Sequence, residues 1–70
     1  MDSRLSDSLA TEIIQHAQNM SSRQDNGCLL PTSDMIAAMN FADKLNQEYP
    51  DAKFEALRHT PTMYLSIHKY

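Results

Sequence analysis

The chain has one cysteine, one glycine and no long apolar run. Each shortage excludes something. Cys28 has no partner for an intrachain disulfide, which agrees with a reducing compartment. A single glycine cannot build a glycine-rich phosphate loop. No stretch approaches the roughly 20 apolar residues of a membrane-spanning helix. The opening MDSRLSDSLA is polar and lacks the basic patch and apolar core of a signal peptide. A cytoplasmic protein with no membrane partner is therefore expected. Excess basic charge is also missing: six Lys and Arg against nine Asp and Glu leave a net charge of −3. Nucleic-acid-binding domains are usually basic.

Seventy residues make one small domain. At this size a chain buries only about 60% of its unfolded surface. Modest stability, or stability shared with a second copy as a homodimer, is expected.

The clearest pattern present is TSDMIAAMNFADKLNQEY, from Thr32 to Tyr49. Met35, Ala38, Met39, Ala42, Leu45 and Tyr49 fall at helical spacing, with Ile36 and Phe41 widening the stripe. A helix over residues 33–49 follows. Thr32 or Ser33 is its expected cap, and Pro50 ends it. An earlier stripe of Leu5, Leu9, Ile13, Ala17 (or His16) and Met20 predicts a helix over 5–23, capped by Ser3 or Ser6. Gln24-Asp25-Asn26-Gly27 reads as its stop, with Gly27 at positive φ. Cys28-Leu29-Leu30 reads as an apolar plug between the helices.

Residues 52–70 alternate instead. Strands over 52–59 and 63–69, joined at Thr60-Pro61-Thr62, form a β-hairpin. A four-residue loop would set His59 against Tyr64 and Glu55 against His68. Phe54, Ala56, Leu65 and Ile67 then share one face. The expected fold is α+β, in the order ααββ: two antiparallel helices packed on one face of a C-terminal two-stranded hairpin. Its core is Leu5, Leu9, Ile13, Met20, Leu29, Leu30, Met35, Met39, Ala42, Leu45, Tyr49, Phe54, Ala56, Leu65 and Ile67.

Catalytic patterns are sparse. His16, Cys28, His59 and His68 show no close metal-ligand spacing, so neither a metal nor a cofactor is expected. Cys28, beside two leucines, suits packing better than nucleophilic chemistry. The acidic residues sit where a capping or solvated helix face puts them. Met20, Met35, Met39 and Met63 suit gap-filling in a small core more than an adaptable binding groove.

The outer face of the hairpin stands apart. Only two helices are available, and they cover one face. The other carries Lys53, Leu57, His59, Tyr64, His68 and Tyr70, mixing basic, aromatic and apolar groups. Such a surface suits a protein partner, and an open edge on the second hairpin strand invites strand addition. The expected function is a small non-enzymatic interaction module: an inhibitor, adaptor or regulator. Small phage or mobile-element proteins often have this character. The alternative is a nucleic-acid-contacting accessory regulator, with Lys53, Arg58, Lys69, His59 and His68 supplying positive charge and Tyr64 and Tyr70 stacking on unpaired bases.

Overall fold

The structure, a computed structural model, describes residues 5–70. The chain folds as α1 (Asp7–Gln18), β1 (Asp25–Leu30), α2 (Met35–Glu48), β2 (Ala52–His59) and β3 (Thr62–Lys69). Two helices and a three-stranded antiparallel sheet give an α+β domain. The expected order ααββ is corrected by β1, which lies between the helices in sequence and pairs with β3. The strand order is β1-β3-β2, so β3 is central.

Helix α1 is shorter than its stripe suggested. Ser6 caps it, its hydroxyl accepting from the Leu9 N–H at 3.3 Å. Ser3, the other expected cap, lies outside the described residues. The helix ends at Gln18, and Asn19 closes it. Gln24 then folds back on Ser21, and Arg23, at φ 65°, takes the left-handed conformation expected of Gly27. Arg23 N–H donates to the Lys69 carbonyl at 2.7 Å, which leads the chain into β1.

Helix α2 is capped by Asp34, one position after Ser33 and two after Thr32. Asp34 Oδ1 accepts from the Ile36 and Ala37 N–H groups at 3.0 and 3.3 Å. Thr32 is buried instead. Its hydroxyl accepts from the Asp34 N–H, and its carbonyl accepts from Met63 N–H. Thr32 thus ties the start of α2 to the hairpin. Ala38, Phe41, Ala42 and Leu45 are the buried stripe of α2, again at helical spacing. Met35 and Met39 fall beside it, and both are exposed.

The hairpin turns on Thr60-Pro61, whose peptide bond is cis. His59 pairs with Thr62, Leu57 with Tyr64, Glu55 with Ser66 and Lys53 with His68. The loop therefore has two residues rather than four. The shift is even, so every side chain keeps its expected face. Burial along β3 alternates strictly from Met63 to Ile67. Met63, Leu65 and Ile67 point to the helices together with Leu30 and Phe54, and all five are at most 2% exposed. Helix α2 lies mainly over β2 and meets α1 only lightly. Lys69 anchors the far end: its Nζ donates to the Ala17 carbonyl at 3.1 Å and to the Tyr49 hydroxyl. A cation at the C-terminal end of α1 also suits the helix dipole.

Candidate interaction surface

Both helices cover the same side of the sheet, and no described element covers the other. The pairings fix what stands there. Leu29, Tyr64 and Leu57 form one cross-strand row. Gly27, Ser66 and Glu55 form the next, and Asp25, His68 and Lys53 the third. His59 and Thr62 lie at the turn end, and Tyr70 follows β3 at the other.

The first row is apolar and open. Leu29 is 59% exposed and Leu57 42%, with Tyr64 half-buried between them. Tyr64 lies over Gly27, and this explains the glycine. A Cβ at Gly27 would stand 2.5 Å from Tyr64 Cζ and 2.6 Å from the Leu65 carbonyl oxygen. Gly27 is thus required by a close approach within a strand, and not by a turn. His59 approaches Tyr64 with ring centroids 6.2 Å apart, and His68 meets Tyr70 edge-on at 5.6 Å. His68 Nδ1 lies 2.5 Å from Asp25 Oδ1.

The six residues expected on the hairpin face, Lys53, Leu57, His59, Tyr64, His68 and Tyr70, lie on this one surface. Three expectations are corrected. Leu29, expected in the core, faces outward as part of β1 and is the most exposed member of the apolar row. Met35 and Met39 are surface residues, because α2 turns its alanine and phenylalanine side inward. The second hairpin strand has no open edge, because β1 occupies it; the edges are β1 and β2. The signal for β1 was the apolar run Cys28-Leu29-Leu30 ended by Pro31, beside a hairpin too small to stand alone.

The basic charge of residues 52–70 is not one patch. Lys69 is held inward by Ala17 and Tyr49. Arg58 pairs with Met63 and shares its side of the sheet. Lys53 remains on the open face, beside His68 and on the same strand face as Glu55, with Asp25 at the far end of its row.

Two grooves lie on the helical side. One, of about 330 Å³, runs between α1 and β1 and is lined by Leu9, Ile13, His16, Asn26 and Cys28 among others. Asn26 Nδ2 and His16 Nε2 are 2.8 Å apart there. Burial pushes the Cys28 thiol up, away from the thiolate that a nucleophile needs. The other, of about 240 Å³, lies beside β2 and is lined by Met35, Met39, Ala56, Met63, Asp43 and Arg58 among others. Three of the four methionines weighed as a groove therefore meet in one; Met20 is buried elsewhere. Among the described residues no group of three His, Cys, Asp or Glu stands close enough to hold a metal. No helix among them is long and apolar enough to cross a membrane. Comparison with protein-family models, with curated proteins and with solved structures finds no match to this chain.

Proposed function

We propose that this chain is a non-enzymatic protein-interaction module, an inhibitor, adaptor or regulator that holds its partner on the open face of the sheet. The observation that carries this reading is the row Leu29–Tyr64–Leu57. It places two exposed leucines on either side of a tyrosine, on a face that no described element covers. Tyrosine flanked by apolar groups and rimmed by polar ones matches the centre of a protein contact. His68, Tyr70, Lys53 and His59 form the rim. Nucleic acid is the weaker reading, because Asp25 and Glu55 share the face and Lys69 is turned inward.

The test is capture of partners from lysate of the source cells by tagged wild type and by Leu29→Lys, each with and without nuclease. Leu29 is exposed, so the substitution leaves the circular dichroism spectrum unchanged. The expected result is a stoichiometric protein that survives nuclease with the wild type and is lost with Leu29→Lys. Retention by the variant would move the contact off this face. Loss on nuclease treatment would favour the nucleic-acid reading.

A further inference from the structure

We propose that two copies of this chain join β2 to β2 across a two-fold axis at Leu57, making one continuous six-stranded sheet. Only part of the β2 edge has its backbone groups occupied. In β2 the groups of Phe54, Ala56 and Arg58 point away from β3. Those of Phe54 are already taken: its N–H donates to Asn46 Oδ1 at 2.8 Å, and its carbonyl accepts from Asn46 Nδ2 at 2.9 Å. Asn46 thus stands in for a neighbouring strand at that one position. No described residue does the same for Ala56 or Arg58. The β1 edge differs, because its outward Gly27 N–H is bonded to Asn26 Oδ1 at 2.8 Å.

A two-fold axis across a strand edge forces antiparallel pairing, and three registers can be weighed. With Ala56 on the axis, Arg58 faces Phe54 of the other copy, whose groups Asn46 holds. With Arg58 on the axis, two like charges stand opposite each other, and Ala56 faces Thr60 in the turn. With Leu57 on the axis, Ala56 of each copy meets Arg58 of the other. Four backbone hydrogen bonds then form from groups that are all free.

The side chains fit that register. Leu57 meets its own copy in a non-hydrogen-bonded pair, where Cα atoms approach to about 4.5 Å. The exposed row of each copy becomes a single row twice as long. On the same face Glu55 of each copy stands opposite His59 of the other, a complementary pair made twice. On the helical side, the Arg58 stem passes beside the other copy's Ala56 and over its methionine groove. Asp43 lines that groove and offers the guanidinium a carboxylate.

Sedimentation of the full chain from micromolar to millimolar concentration tests this. A reversible species of twice the 8.0 kDa chain mass is expected. Ala56→Pro removes an N–H that makes no bond to any described residue, a substitution edge strands tolerate, and should leave a monomer. Leu57→Lys, at an exposed position, sets two ammonium groups on the axis and should do the same. Glu55→Lys and His59→Glu should each weaken association about tenfold, and together restore it. Leu29→Lys, on the far strand, should leave the dimer intact, so this result is separable from partner binding by the open face. A chain monomeric at every concentration overturns the proposal, as does a dimer indifferent to both Ala56→Pro and Leu57→Lys. A dimer that breaks with those two but ignores the Glu55 and His59 exchange overturns the register.

Discussion

The two faces of β3 are built from adjacent residues and do opposite things. Met63, Leu65 and Ile67 point one way and are at most 1% exposed. Tyr64, Ser66 and His68 point the other way and are half-exposed. The covered face is closed by apolar side chains from both helices. The open face carries a short apolar row bordered by charge. Stability is therefore concentrated on one side of the sheet, which leaves the residues of the other free to serve contact. An exposed apolar row costs a small domain solubility.

Substitutions on the two sides should separate sharply. The largest loss is expected from Leu65→Ala, at a fully buried position of the central strand. A cavity there costs about 2–5 kcal/mol, read as a lower denaturant midpoint with an unchanged slope. A loss near zero would erase the distinction between the faces. Gly27→Ala is the one open-face substitution expected to approach this. The new Cβ meets both the Tyr64 ring and the Leu65 carbonyl, and forcing the strands apart costs roughly 1–3 kcal/mol. Adding Tyr64→Ala should recover only part of it, because the carbonyl remains in the way.

Asn46→Ala probes the boundary between the faces. It removes both bonds to the Phe54 backbone, a loss of about 1–3 kcal/mol at ~0.5–1.5 kcal/mol each. It also lengthens the free edge of β2, so faster aggregation should accompany the lower melting temperature.

The smallest effect belongs to the Asp7–Lys44 pair, which links α1 to α2 at the surface. Its hydrogen bond, and then its charge, holds the Asp7 carboxyl below its usual range; the same bond raises Lys44. The Asp7 contribution is present above the unfolded carboxyl value and fades as pH falls through the folded one. The Lys44 contribution is present below the unfolded ammonium value and fades as pH rises through the folded one. The pair should thus act evenly across neutral pH. Asp7→Asn should shift the melting temperature least of these variants, and high salt should erase the difference.

Much of this architecture was legible in the sequence because it is local. The alternation over residues 52–69 gave both hairpin strands and the correct faces. The helical stripes gave both helices, with ends misplaced by a few residues where caps compete: Asp34 outbids Thr32 because Thr32 is needed against Met63. What stayed hidden was β1. Its requirement for glycine comes from Tyr64, on a strand far along the chain, and Asn-Gly imitates a turn. Its alternation is also masked, since outward Leu29 and inward Leu30 are neighbours of the same type. Alternation alone places the hairpin residues of the open face on one side of the sheet, whereas Leu29 joins them only through the β1–β3 pairing. The separation of Met35 and Met39 from the core likewise depends on how α2 rolls on the sheet, which Phe41 and three small or aliphatic neighbours decide.

We propose that a partner sits on the Leu29–Tyr64–Leu57 row. Methyl-labelled leucines report on it most directly, in spectra recorded as the captured partner is added. The Leu29 and Leu57 methyl signals should shift or broaden while those of Leu45 and Leu65 stay in place. Undisturbed Leu29 and Leu57 signals in a saturated complex would contradict it.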